Sequence, residues 1–250
     1  MLPGVYAGRM DVGKDFRRAA IFGASGGIGK ALAAALAERG VEVWAGSRAG
    51  ETADPAMHGF RFDLTDEASI AAVAEAMART PPDLVVVASG VLTLAGGEGP
   101  ERSYRRIDGT AMEEVFRLNT IGPALIAKHM LPLLPREGRS VFAALSARVG
   151  SIGDNRLGGW HSYRASKAAL NMLLSNFAIE LARTHKQAVV AGLHPGTVDT
   201  ALSEPFQGNL PAGQLTAPAD AARNLLTVIE ALRPADSGKI FDWKGEEVPA

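Results

Sequence analysis

From residue 18 onward, short apolar runs alternate with longer stretches of helical period. AAIFGAS (19–25), VEVWAG (41–46), FRFD (60–63), DLVVVAS (83–89), SVFAALS (140–146) and AVVAGLH (188–194) are nearly continuous in apolar residues, the pattern of strands covered on both faces, and KIFDW (239–243) adds a seventh. Between them, IGKALAAALAER, EASIAAVAEAMART, the segment 110–134, SKAALNMLLSNFAIELART and PADAARNLLTVIEAL place apolar residues three and four apart, largely among good helix formers. Strand and helix in repeated alternation predict an α/β fold: a parallel, doubly wound sheet with helices on both faces. The twelve residues between Gly46 and Gly59, with Pro55 among them, leave little room for a helix in the second crossover. Residues 1–17 hold Gly4, Gly8 and Gly13 with no sustained period, so an N-terminal arm is expected before a single domain over 18–250.

Composition narrows the classes. The 250 residues contain no Cys, which excludes a disulfide scaffold, a thiolate nucleophile and a thiolate metal site. Lys and Arg total 26 against 27 Asp and Glu, for a net charge of -1, so no overall basic field recommends nucleic acid as a partner. No segment approaches the roughly 20 apolar residues that cross a bilayer, and no membrane partner is expected. A cytoplasmic location is the default expectation. His58, His129, His161, His185 and His194 form no metal-binding spacing, so no metal is expected.

GASGGIG follows the first predicted strand and opens the first helix, placing Gly23, Gly27 and Gly29 in a G-x-x-x-G-x-G pattern. Such a turn brings backbone close to a phosphate, with helix amides and the positive dipole end facing it. Gly23 permits the turn, Gly27 the approach to a diphosphate, and Gly29 close packing of helix on sheet. Beyond the second strand stand Ser47 and Arg48, where an NAD site places a carboxylate. A hydroxyl and a guanidinium suit a 2′-phosphate, so NADP(H) is expected over NAD(H). Asp63 is a candidate acceptor for the adenine amino group, and Asp66 a cap for the helix that follows.

Tyr163 and Lys167 stand four apart near the start of the longest helical stretch and so share a face. An ammonium beside a phenol favours phenolate, an expectation that the tyrosine pKa falls from about 10 toward neutrality. Ser146 closes the fifth strand, at the sheet end where ligands bind, and its hydroxyl can hold a carbonyl oxygen while Tyr163 moves the proton.

The glycine turn, LNTIG around Asn119, Ser146, YRASK (163–167) and the following His194-Pro195-Gly196 occur in an order that resembles the short-chain dehydrogenase/reductase family, over about residues 18–248. SIGDNRLGGWHSYRASKAALNM, LHPGTVDT and the ending GKIFDWKGEEVPA are most similar to its C-factor-like group. The resemblance implies a Rossmann fold with a mostly parallel seven-stranded sheet, and an NAD(P)-dependent oxidoreductase acting on a small carbonyl or alcohol. It implies Tyr163 as general acid/base, Lys167 on the nicotinamide ribose, Ser146 orienting the carbonyl, and Asn119 holding a water in a proton relay. For the cofactor it implies Ser25, Ile28, Leu64, Gly90, Pro195, Gly196, Val198 and Thr200 beside the residues already named. It also implies pairing of the 110–134 and Tyr163 helices across a two-fold axis, hence a homodimer or homotetramer.

Two departures from the family pattern stand out. Val87-Ala88-Ser89-Gly90 occupies the place of the usual Asn-Asn-Ala-Gly, so two asparagine side chains are missing. Ser146 and Tyr163 are seventeen positions apart, longer than the usual family spacing, which lengthens the rim 147–162 and offers Ile152, Leu157 and Trp160 to a substrate. A second wall is expected in SEPFQGNLPAGQL, from Phe206 and Leu210, with Pro205, Gly208, Pro211 and Gly213 against a long helix. Arg148 and Arg156 turned inward favour a carboxylate substrate; turned outward, an uncharged one. Two other functions stay open: a low-turnover NADP(H)-binding signalling or regulatory protein, and an epimerase or dehydratase.

Overall fold

The computed structural model describes residues 16–52, 54–92, 99–209 and 214–250. Seven strands form one sheet in the order β3-β2-β1-β4-β5-β6-β9: β1 (Arg18–Phe22), β2 (Glu42–Ser47), β3 (His58–Arg61), β4 (Leu84–Val87), β5 (Ser140–Leu145), β6 (Ala188–His194) and β9 (Ile240–Asp242). Every neighbouring pair is parallel. The expected doubly wound α/β sheet is therefore present, and fully parallel. A two-stranded pair, β7 (Thr197–Val198) with β8 (Leu215–Thr216), stands apart from it.

Alternation along the strands divides the core in two. Ala20, Phe22, Val85, Val87, Phe142 and Val190 point to the layer covered by α2 (Glu67–Met77), α4 (Gly122–Met130) and α5 (His161–Leu181). Ala19, Ile21, Leu84, Val86, Val141 and Val189 point to the layer of α1 (Gly27–Glu38) and α6 (Pro218–Ala231). Each central strand is thus nearly continuous in apolar residues, with Arg18, Ser140 and His194 only at strand ends, because both of its faces are covered. The second crossover contains no helix among its described residues, as its length and Pro55 predict. Asp66 caps α2, accepting from the Ala68 amide.

The segment expected as one helix over 110–134 is interrupted. It runs as α3 (Gly109–Phe116), a π turn over Arg117–Ile121 and α4, ending in a 3-10 turn over Leu131–Leu133. Asn119 sits in the middle of the π turn, with Pro123 just behind it at the start of α4. Of the expected arm, residues 1–15 lie outside the described residues. Phe16 is buried in the α1–α6 layer, and the Arg17 amide donates to the Asp83 carboxylate. Among the described residues no helix is long and apolar enough to cross a membrane.

Candidate active site

A cavity of about 570 Å³ opens at the carboxyl ends of β1, β2, β4 and β5, beside the point where the strand order reverses. Gly23 turns the chain off β1 with φ at +98°, and its amide donates to the Gly46 carbonyl. Ser25, Gly27 and Ile28 line the cavity. A Cβ on Gly27 would meet Thr200 Cγ2 at 2.5 Å, and one on Gly29 would overlap the Gly23 carbonyl oxygen. Gly29 thus lies outside the lining and acts by letting α1 sit on the turn. The helix has neither a side-chain cap nor an acidic residue in its first turn. Its leading amides and positive dipole end are left for an anion in the cavity.

At the end of β2, Ser47 Oγ accepts from the Gly50 amide at 3.0 Å, which leaves its own proton to donate. The Arg48 side chain stands exposed beside it on the cavity wall. Asp63 and Leu64 line the same end. The Thr65 amide and hydroxyl both donate to Asp63 Oδ1 and, with help from Arg48 and Arg117, hold its carboxyl below the ordinary range. Ser89 and Gly90 line the wall after β4; Ser89 Oγ is shielded from solvent and has no hydrogen-bond partner among the described residues. A hydroxyl without a partner, a glycine cradle and uncapped helix amides in one cavity fit a dinucleotide.

Ser146, Tyr163 and Lys167 line that cavity too. The Ser146 amide donates to the Leu193 carbonyl, and its hydroxyl to Asn171 Oδ1 at 2.6 Å. Lys167 Nζ, buried, donates to the Leu145 carbonyl at 2.8 Å and lies 5.8 Å from the centre of the Tyr163 ring. Burial pushes the Tyr163 phenol up to about 12 and the Lys167 ammonium down to about 8. This reverses the direction expected for Tyr163. The loss of water around a phenolate outweighs an ammonium that is committed to a backbone carbonyl.

Asn119 does not line the cavity. Its Nδ2 donates to the Val91 carbonyl at 2.8 Å and to Ser166 Oγ at 3.2 Å, while its Oδ1 accepts from the Val91 amide at 2.8 Å. Both amide protons are spent, so the side chain clamps the chain after Gly90. Ser166 Oγ in turn donates to the Tyr163 carbonyl, and Thr120 Oγ1 to the Ser166 carbonyl, so the π turn fixes the first turn of α5.

Residues 17–210 match the family described as short chain dehydrogenase. The chain belongs to the short-chain dehydrogenase family. Within it, the chain is similar to the C-signal of Myxococcus xanthus, 36% identical over 155 residues that cover 62% of this chain and 88% of the relative. It is also similar to the 1-hydroxy-2-glutathionyl-2-methyl-3-butene dehydrogenase of Rhodococcus sp. (strain AD45), 32% identical over 229 residues, 88% of this chain and 93% of the relative. The NADPH-bound carbonyl reductase from chicken fatty liver shares the fold with a TM-score of 0.81 and 24% identity, over 96% of this chain and 97% of that one. The protein is an NAD(P)-dependent oxidoreductase of this family.

The rim of this short-chain dehydrogenase differs from expectation. Ile152 and Leu157 are 78% and 90% exposed and do not line the cavity. Trp160 sets its ring edge-on to Tyr163, 6.3 Å between centres. Arg148 Nε donates to Asp154 at 2.7 Å and its guanidinium faces Asp242, while Arg156 donates to the carbonyls of Gly153 and Asn155. Arg148 is thus held between its own loop and β9, and Arg156 on its own loop. Pro195 and Thr200 line the cavity; Gly196 packs against the Trp243 indole instead, and Val198 is buried with its carbonyl accepting from the Ser203 hydroxyl. Burial holds His194 down at about 4, so its ring is neutral at the end of β6. In the second wall, Glu204–Asn209 form a 3-10 turn; Leu210, Pro211 and Gly213, and the Phe206 side chain, lie outside the described residues.

Three contributors escaped the sequence reading. Asn171 follows Lys167 by four residues and Tyr163 by eight, a spacing that already put it on their helix face. Ser89 was visible only as the polar residue left in a tract lacking its usual asparagines. Glu101 takes the amide and hydroxyl of Ser162 on its carboxylate and the Trp160 amide on its carbonyl, capping α5 from sixty residues upstream, which no local pattern announces.

Proposed function

We propose that this short-chain dehydrogenase is an NADPH-dependent carbonyl reductase that also oxidises the matching alcohol. The observation that carries the reading is that Tyr163, Ser146 and Lys167 open into the same cavity as the glycine turn and the Ser47-Arg48 pair. NADPH bound there supplies hydride to a carbonyl carbon. Tyr163, held protonated at neutral pH by a phenol pushed up to about 12, delivers its proton to the oxygen. Ser146 holds that oxygen, and Lys167 stands below the ring to take the ribose.

Arg48 and the free Ser47 proton support preference for the 2′-phosphate. Neither Arg148 nor Arg156 lines the cavity, which supports an uncharged substrate. The apolar side chains left exposed on α5, Met172 and Ile179, support a homodimer or homotetramer. The test is NADPH oxidation by the purified protein with a panel of aldehydes and ketones, for the parent and Tyr163→Phe. The variant keeps NADPH binding and loses roughly 10²-fold or more in turnover. Parent protein that binds NADPH but reduces no carbonyl defeats the reading.

A further inference from the structure

Tyr163, Lys167 and Asn171 follow one another at intervals of four on α5, and each does something different at the end of β5. Tyr163 enters the cavity, Lys167 donates to the Leu145 carbonyl, and Asn171 accepts the hydroxyl proton of Ser146. Ser146 is buried to all but 4% yet lines the cavity, whereas Asn171 does not. The amide therefore touches the reacting region only through the serine.

The polarity of that contact matters. A hydroxyl has one proton and two lone pairs. With its proton on Asn171 Oδ1, Ser146 offers the cavity lone pairs alone. Those suit an alcohol, which brings its own proton while Tyr163 remains protonated, but they repel the lone pairs of a carbonyl oxygen. A half-turn of the amide places Nδ2 where Oδ1 stood; it then donates to Ser146 Oγ and releases the serine proton toward the cavity. We propose that Asn171 is a positioning residue whose reversible amide sets the direction of the Ser146 hydroxyl, letting one serine accept from the alcohol and donate to the carbonyl. This rests on the carbonyl–alcohol reading above.

Asn171→Asp separates the two directions, because a carboxylate is the same size but only accepts. It pins the serine proton on the carboxylate oxygen. The lost donor weakens both the bound carbonyl and the transition state, while the bound alcohol keeps its contact. Since kcat/KM in the two directions is tied by the reaction equilibrium, both values fall together, by roughly tenfold. The fall divides unequally: in reduction it appears in KM, in oxidation in kcat.

The probes are 4-nitrobenzaldehyde with NADPH and 4-nitrobenzyl alcohol with NADP⁺, with NADPH affinity and melting temperature measured alongside. The proposal expects that KM/kcat division, and expects Asn171→Asp to add nothing in a Ser146→Ala background. Asn171→Leu, with no polar end, leaves the serine proton unpinned and lowers kcat/KM less than Asn171→Asp, which also serves if the aspartate variant folds poorly. Parent-like kinetics in Asn171→Asp, a fall confined to kcat in both directions, an effect that persists without the serine hydroxyl, or a leucine variant as damaged as the aspartate one each overturns it. A parent protein that turns over neither these probes nor the wider panel overturns the functional reading itself, and this inference with it.

Discussion

Lys167 Nζ donates to the main-chain carbonyl of Leu145, the residue immediately before Ser146, so the ammonium is tied to β5 at the point where Ser146 leaves it. Burial acts on this lysine and lowers it to about 8. Tyr163 is moved the opposite way by the same burial. The pair is a protonated phenol above a lysine that gives up its proton easily.

The pH dependence of stability follows from those two groups. An unfolded chain keeps the Lys167 proton to its ordinary 10.5, whereas the folded one releases it near 8. Between those values the unfolded state binds more protons, so stability rises with pH. Tyr163 acts in the next window, from 10 to about 12, where the folded state keeps the proton and stability falls. Thermal unfolding from pH 7 to 10 should show the melting temperature of the parent rising, a gain on the order of 3 kcal/mol. Lys167→Met should flatten the rise. An equal slope in both proteins would remove the buried charge from the account.

Sequence carried the fold because the central strands are nearly continuous in apolar residues and each helix repeats its face, so period alone separates them. It carried the glycine turn, Ser146, Tyr163 and Lys167 for a related reason: each sits at a strand end or on one helix face, where local spacing fixes position. It did not carry the partners of those residues. Asn119 against Val91 and Glu101 against Ser162 join segments far apart in the chain, and only the packed sheet brings them together. Nor did spacing give the sign of the Tyr163 shift, since burial depends on the whole cavity wall.

Arg48 should decide between cofactors. Its guanidinium is exposed on the cavity wall and faces Asp63, whose carboxyl already accepts from the Thr65 amide and hydroxyl. Arg48→Ala therefore removes a cation without uncovering a buried charge. NADPH affinity, read by its fluorescence, should fall roughly tenfold or more while NADH affinity changes little. Equal NADPH and NADH affinities in the parent would sink the assignment.

Asn119→Leu should harm stability and nucleotide binding together. It leaves the half-buried Val91 amide and carbonyl without the partners they have now, at a cost of about 1 kcal/mol for each group. It also releases the segment that carries Gly90 into the cavity wall. A lower melting temperature with weakened NADPH binding is the expected result. Loss of turnover alone, with both of those intact, would instead favour a relay role for the side chain.

Trp160 offers the last test, because it combines backbone strain with a ring beside Tyr163. Gly158, Gly159 and Trp160 have φ of +63°, +67° and +51°, three left-handed residues in a row, and Trp160 is the only non-glycine with positive φ among the described residues. A side chain costs about 1 to 2 kcal/mol in that region. The conformation is held by the Trp160 amide on the Glu101 carbonyl and brings the indole edge-on to Tyr163. Trp160→Ala loses the ring and keeps the strain; Trp160→Gly loses both. The glycine variant should therefore melt higher than the alanine variant, by about 1 kcal/mol in stability. If the ring is a wall of the substrate pocket, both variants raise KM for an aromatic aldehyde by the same factor and leave NADPH affinity alone. Equal melting of the two would show the turn unstrained, and an unchanged KM in both would confine the indole to anchoring the loop.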